Sequence, residues 1–328
     1  MNDEAALIRR AIAVASRAPS LHNSQPWRWV ADGARLELFL DPSRVVTHTD
    51  SAGREALIGC GAILDHLRVM MAAAGRRTTV ERFPDPADPT HLASVLWHHA
   101  GPVPDSTLTV HRDRASAILR RRTDRLPFLP PIDWDPLSET LHGLLDPDVV
   151  RLHVISSELL PELAEGSRLT TEIRRLDVRY HQELDWWTGP FETDDGIPRE
   201  LLASVFESQR VAVNRTFPAG AHGNRRSQVH TDQAMVVVLS TPDDTPADAL
   251  AAGEALSALL IEATVAGLAT CTVSHLTELE SGRALVRSLI ADEGHPQVLV
   301  RVGRAPALEG PTVTTPRRPV SDILEFRG

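Results

Sequence analysis

The chain contains no lysine: all 34 of its basic residues are arginine. That absence excludes a Schiff-base lysine, an anchor for pyridoxal phosphate, and a phosphate loop of the GxxxxGK(S/T) kind. Cysteine is almost as scarce. Cys60 and Cys271 are the only two, far apart in sequence and too few for a disulfide framework; they read as buried, reduced thiols. No uninterrupted apolar run approaches the roughly 18 residues of a membrane span. Positive charge is in deficit as well. A net charge of −10 argues against nucleic acid, whose phosphates need a concentrated basic face, and predicts a soluble, acidic surface. Missing motifs narrow the chemistry further. There is no HExxH or CxxC spacing for a metal and no GxSxG elbow for a hydrolase. Gly59-Cys60-Gly61 lacks the third glycine and the preceding strand of a dinucleotide loop. The opening MNDEAALIRRAIAVASRAPS carries charges on both sides of a short apolar stretch, with Ala5, Ile8, Ile12 and Val14 near helical spacing. It reads as an amphipathic helix rather than a signal sequence, and the protein as cytoplasmic.

What is present is concentrated in two runs. Residues 18–29 read APSLHNSQPWRW, offering amides, a hydroxyl, an imidazole and an indole to the edge of a flat heterocycle. Residues 120–128 read RRRTDRLPF, an Arg-rich turn suited to phosphate, because guanidinium forks match phosphate oxygens two at a time. Four arginines in six residues exceed what a helix C-terminus needs and repel one another unless an anion is shared. Together the runs point to a phosphorylated aromatic cofactor.

At 328 residues the chain has material for two ordinary cores. An internal repeat supports that division. Residues 61–80, GAILDHLRVMMAAAGRRTTV, align without gaps with residues 253–272, GEALSALLIEATVAGLATCT, matching Gly61 with Gly253, Leu64 with Leu256, Leu67 with Leu259 and Gly75 with Gly267. Both helices are apolar nearly all round, so both must be buried on most sides. Other helices are expected at 3–17, 114–122, 158–183, 198–205 and 277–290, with the repeat helices at 55–74 and 247–266. Strands are expected at 35–40, 107–111, 149–155, 234–239 and 296–302. Pro- and Asp-rich stretches at 82–90 and 101–106 read as loops or as part of the join. The class is α+β, with mixed or antiparallel sheets flanked by helices around two central packed helices. The first unit is placed over 1–105 and the second over 106–328, with the boundary near 100–112.

The two runs resemble the nitroreductase family of FMN-dependent oxidoreductases, in which an RRSxR-like segment grips the flavin phosphate and a PSxxNxQPW-like segment follows it. Here their order is inverted. In that family the two segments serve one flavin from opposite subunits of a homodimer, so the inversion resembles two family units fused into one chain, as in the Acg branch of actinobacterial nitroreductase-like flavoproteins. The resemblance covers most of the chain and implies one composite FMN site, NAD(P)H as hydride donor, a quinone or nitroaromatic acceptor, and a monomer with an internal pseudo-dimer. Carried over residue by residue, it gives Arg121, Arg122, Thr123 and Arg125 as phosphate contacts. It gives Pro19, Ser20, His22 and Asn23 as neighbours of the ring and ribityl chain, with Gln25, Pro26 and Trp27 fixing their loop. Trp27 and Trp29 themselves suit core anchors of a half-buried strand. Arg317 and Arg318 either return to the phosphate or belong to a solvated tail.

After the second repeat helix, the family's turn near flavin N5 falls on Ser274 and His275. Many relatives have an acidic residue and a glycine there, so this chain departs from the pattern. His275 is a tentative proton donor, with a packed histidine as the alternative. Residues 170–228 are not explained by the repeat. Trp186, Trp187, Gly189, Pro190 and Phe191 form either an aromatic flap over the site or ordinary core. A closed lid would favour a rival function, in which the protein sequesters or stores flavin with little turnover.

Overall fold

The structure is a computed structural model and describes residues 2–189, 195–220, 223–307 and 313–327. Nine strands run in the order β1 (Trp27–Asp32), β2 (Arg35–Leu40), β3 (Arg76–Arg82), β4 (His91–His99), β5 (Arg151–Val154), β6 (Met235–Thr241), β7 (Ala269–Val273), β8 (His295–Gly303) and β9 (Leu324–Arg327). Among them lie helices α1 (Asn2–Ala15), α2 (Arg54–Ala73), α3 (Asp105–Arg120), α4 (Trp134–Leu144), α5 (Leu160–Arg174), α6 (Val178–Trp187), α7 (Val205–Ser208), α8 (Pro246–Val265), α9 (Glu280–Ile290) and α10 (Val320–Ile323). The strands form two sheets, ordered β3-β4-β2-β1-β9 and β5-β6-β8-β7. All pairings are antiparallel except β1 with β9, so the first sheet takes its last strand from the far end of the chain.

Each sheet has its own core. Ile8, Ile12, Ile63, Leu64 and Leu67 of α1 and α2 pack on Trp27, Trp29, Leu36 and Leu38, all at most 3% exposed. The second sheet is buried on both faces, which is why β6 reads as a nearly continuous apolar run rather than an alternating one. On one face, α4 and α8 meet Val237, Leu239, Val298 and Val300; on the other, α5 and α9 meet Val236, Val238 and Leu299.

Helices α2 and α8 cross at the centre with their backbones touching. A Cβ on Gly61 would stand 2.0 Å from the Leu250 carbonyl oxygen, and one on Gly253 would stand 2.0 Å from the Ile58 carbonyl oxygen. The repeat alignment matches Gly61 with Gly253 and hence Ile58 with Leu250, so the contact is reciprocal, as a two-fold relation between the helices requires. Gly75 and Gly267 follow the two helices, with φ of 70° and 75°, the left-handed conformation that glycine adopts freely. On the same axis Ser257 donates to Asp65 at 2.6 Å. Burial raises the Asp65 carboxyl to about 6 against the pull of that bond and of Arg68. Among the described residues α2 is the one helix long and apolar enough to cross a membrane, but 67% of that stretch is buried inside the protein.

Several expectations change. Residues 107–111, expected as a strand, lie in the first half of α3; Pro104 and Asp105 start a helix there, and an exposed face lets helix initiation override the β preference of Thr and Val. The single helix expected at 158–183 is two, broken where the Asp177 side chain accepts from Tyr180 N–H and caps α6. The helix expected at 198–205 is a 3₁₀ turn followed by the short α7. Strand β1 takes up the half-buried strand expected at Trp27 and Trp29, and strands β3, β4, β7 and β9 and helix α4 add to the expected elements.

Candidate functional site

A cleft opens between the two units beside the crossing of α2 and α8. It has two halves, and Pro19, Ser20, Thr123 and Arg125 line both, so they form the waist.

The loop that forms the waist is strained and tied down. His22, Asn23 and Gln25 have φ of 51°, 60° and 51°, left-handed values that cost each of these side-chain-bearing residues about 1 kcal/mol or more. The strain is held by bonds from three directions. Ser20 Oγ accepts from Gln25 N–H at 3.0 Å, Asn23 Nδ2 donates to the carbonyls of Gly196 and Pro316, and Gln25 Oε1 accepts from Arg318 N–H at 3.0 Å. Gly59 of α2 passes beneath, where a Cβ would lie 3.3 Å from Ser20 Cβ. The His22 ring stands edge-on to Phe217 at 5.9 Å. Burial, with Arg215 and Arg125 nearby, keeps it neutral.

The smaller half is basic, lined by Arg17, Arg120, Arg121, Arg122, Arg125 and Arg317. Thr123 bridges to Thr270 and Asp124 N–H donates to the Thr270 carbonyl, so this run lies extended along β7. None of Arg17, Arg121, Arg125 and Arg317 has a carboxylate partner among the described residues. Arg121 donates to the Arg17 carbonyl at 2.7 Å, while its Nε is buried with no partner. Arg317 donates to the carbonyls of Ser16, Arg17 and Pro316, and Arg125 stacks on Phe217 at 5.1 Å. Burial and then Arg17 push Arg121 down to about 10, and burial with Arg17 and Arg121 also depresses Arg317 well below its ordinary value. Guanidiniums crowded together without an anion of their own leave room for a multiply charged one.

The larger half is mixed. Ser20, Ile58, Gly59, Leu256 and Val298 give it apolar and small walls; Glu55, Arg215, Ser274 and Thr272 give it polar ones, and Cys271 lines it as a buried free thiol. Within the segment expected as a lid, Ala203, Ser208, Asn214, Arg215 and Phe217 form a wall of this half. The Trp pair does not. Trp186 is 71% exposed and the Trp187 ring receives Arg44 at 5.9 Å; Pro190 and Phe191 lie outside the described residues. The segment is fastened to the first unit by Arg44 on Asp195 at 2.5 Å and by Glu183, which accepts from the Thr49 N–H and hydroxyl.

No protein-family model matches the chain. Over 98% of its length, and 96% of the relative's, it is 52% identical to the Acg protein of Mycobacterium tuberculosis, whose name provisionally assigns it as an NAD(P)H nitroreductase. The chain belongs to this nitroreductase family. A second protein of the same organism and the same provisional assignment is 34% identical over 98% of this chain and 92% of its own. Among solved structures, a protein of Anabaena variabilis provisionally assigned as a nitroreductase matches with a TM-score of 0.46 and 10% identity, covering 82% of this chain and 69% of that one.

Within this family member, most of the residues expected at the site are in the cleft: Pro19, Ser20, His22, Asn23, Arg121, Arg122, Thr123, Arg125, Ser274 and Arg317 line one half or the other. Two do not. Arg318 lies behind the loop, donating to the Gln25 carbonyl at 3.3 Å and standing 3.8 Å from Asp41, so it supports the strained loop. His275 lines a separate hollow with Tyr180 and Glu278. Its Nε2 meets Ser167 Oγ at 2.8 Å, and Ser167 in turn donates to the Asn214 carbonyl, which assigns the proton to His275 Nε2. Burial and then Arg215 push this imidazole down to about 3, so it is neutral at working pH and is not poised as a general acid.

That depression has a testable sign. The unfolded imidazole takes a proton below about pH 6.5 and the folded one does not, so its contribution to stability is complete above that pH and is lost on acidification. The stability difference between the native chain and His275→Gln is therefore expected to shift against the native chain by up to about 1.4 kcal/mol per pH unit as pH falls from 6.5 towards 4. Urea unfolding of both proteins across that range checks it; a pH-independent difference would contradict the buried neutral ring.

Glu55, Arg215, Asn214, Phe217 and Arg17 join the cleft without having been expected there. Glu55 opens a helix, where acidic residues are ordinary, and Arg215 sits in a segment with no periodic pattern. Only tertiary placement brings them together.

Proposed function

We propose that the protein is an NAD(P)H-dependent FMN oxidoreductase with one flavin per chain, acting on quinone or nitroaromatic acceptors. The observation that carries this reading is the set of buried and half-buried guanidiniums without carboxylate partners among the described residues, at one end of a cleft whose other end is a slot of small, apolar and hydrogen-bonding walls. The residues present fit FMN: the orphaned Arg121 Nε and its neighbours suit a phosphate dianion, and the larger half suits a flat ring. Arg121, Arg122, Thr123, Arg125 and Arg317 would hold the phosphate, while Pro19, Ser20, His22, Asn23 and Ser274 would border the ribityl chain and ring. Bound there, FMN would supply two-electron exchange between a nicotinamide and an oxidised acceptor. The protein's own part is to orient that group, to neutralise its phosphate and to govern access.

A second reading, flavin sequestration, has one observation in its favour: Phe217 and its neighbours in the inserted segment form one wall of the larger half. The two readings part in one experiment. After flavin per chain is counted from the visible spectrum, anaerobic mixing with NADH or NADPH is expected to bleach about one flavin per chain within a turnover time of seconds or less. Flavin that dithionite bleaches and nicotinamide does not would establish sequestration instead, and a chain that takes up no flavin would defeat both.

A further inference from the structure

Glu55 stands in the first turn of α2, lines the larger half of the cleft and is only 5% exposed. It belongs to a charged cluster that the function above leaves unused. Three carboxyls, Asp50, Glu55 and Glu278, share the cluster with two guanidiniums, Arg54 and Arg215. Arg215 is committed to Glu278, with further bonds to Tyr180 at 2.8 Å and Ser274 at 3.1 Å. Arg54 is divided between Glu55 Oε1 at 2.5 Å and the carbonyls of Thr277 and Gln297. Asp50 accepts from Ala56 N–H at 2.9 Å. Beyond Arg54, the Arg283–Asp244 pair of the second unit is closed on itself at 2.6 Å and adds no net charge.

Within the cluster carboxyls outnumber guanidiniums three to two; Arg125, which lines the same half of the cleft, is stacked on Phe217. A surplus negative charge out of water is unfavourable, and the group sheds it by keeping a proton. Of the three, Glu55 is placed to pass that proton on. Its bonds from Arg54 and from the Thr277 hydroxyl, at 2.5 and 3.4 Å, both end on Oε1, and none of its hydrogen bonds reaches Oε2.

Building on the function proposed above, we infer that Glu55 is the proton donor of the cleft, and that its partner is the carbonyl oxygen of a quinone-type acceptor. Reduction of such an acceptor to a quinol takes two electrons and two protons. Hydride from the two-electron donor of the reaction brings both electrons and one hydrogen. The other proton leaves Glu55 as its O–H bond breaks and an O–H bond forms on the acceptor, and the carboxylate left beside Arg54 is reprotonated from water. Burial, against the pull of Arg54 and reinforced by Asp50 and Glu278, raises this carboxyl to about 7, so both of its forms are populated near neutrality.

The test uses the flavin-loaded chain and its Glu55→Gln variant. The absorption band of the oxidised bound flavin is titrated with pH, and reduced protein is mixed with a soluble benzoquinone in a stopped-flow instrument. The native chain is expected to show an inflection in the band at about pH 7 and a quinone reaction that slows above it. The variant is expected to bind flavin, to show no inflection, and to react with quinone about a hundredfold more slowly or worse, with the alkaline fall gone. A native band without an inflection near neutrality overturns the inference and needs no variant to do so. A variant that keeps the native quinone rate overturns it while leaving the flavin reading intact, whereas a chain that takes up no flavin overturns both.

Discussion

An Arg121→Met, Arg125→Met double variant is expected to bind FMN about a thousandfold more weakly than the native chain, yet to unfold at a higher temperature when no ligand is present. The two effects have opposite signs because the same charges serve one state and burden the other. Each guanidinium lost removes a charge-assisted bond to phosphate, about 1.5–3 kcal/mol apiece, and two such losses give a factor of about 10² to 10⁴. In the flavin-free protein these cations are buried or half-buried without carboxylates, and they return little for their desolvation. Arg121 has one bond, to the Arg17 carbonyl, and an orphaned Nε; Arg125 has its contact with Phe217. Replacing buried charge with an apolar side chain of similar length stabilises proteins by about 1–4 kcal/mol where the charge is poorly compensated. Quenching of FMN fluorescence measures the first effect and calorimetry of the flavin-free protein the second. Weaker binding accompanied by a lower melting temperature would show that the arginines hold the fold rather than a ligand.

Gly61→Ala is expected to be among the most damaging single substitutions available to this chain, costing about 4 kcal/mol or more, because the added methyl meets a backbone carbonyl at 2.0 Å. A side chain could swing aside; the Leu250 carbonyl belongs to α8 and cannot move without parting the two central helices. The cleft should fail with the crossing, since Ile58 and Gly59 lie on α2 and Leu256 on α8, and all three form its walls. Gly143→Ala is the control. It lies in α4 with nothing within 4 Å of the added methyl, and it should stabilise the protein by about 0.5–1 kcal/mol through helix preference alone. Urea unfolding of both variants decides the point: similar effects at the two positions would mean that the crossing is looser than the reciprocal glycine contact implies.

The parts of this molecule that local sequence specifies were readable without coordinates. The two central helices announced themselves because close backbone contact requires glycine at matched positions, and that requirement is written in the register of Gly61 with Gly253. Strand β6 was legible because burial on both faces demands a nearly continuous apolar run. Residues 107–111 misled because Thr and Val carry a strand preference that an exposed helix start overrides. Strand β9 was invisible for a different reason: four residues at the chain's end have no pattern until β1 is beside them. The site divides in the same way. The arginine run and the PSLHN loop are contiguous, so their chemistry shows in the sequence. The cluster around Glu55 draws on the start of α2, the turn after β7 and the inserted segment, and charge balance among distant residues leaves no local trace. For His275 the sequence left a proton donor and a packed ring both open, because burial, not residue type, decides whether an imidazole can carry a second proton at neutral pH.

The hydrogen bond from Ser257 to Asp65 lies where the two helices' symmetry axis passes, and it says something about what joining the halves made accessible. Partners related by a true two-fold must offer each other the same residue on the axis. Two identical subunits would have to oppose serine with serine, losing the carboxylate that faces Arg68, or aspartate with aspartate, setting like charges together out of water. A single chain is free of that rule and can set a donor against an acceptor. Once it has done so, the central contact has acquired a head and a tail.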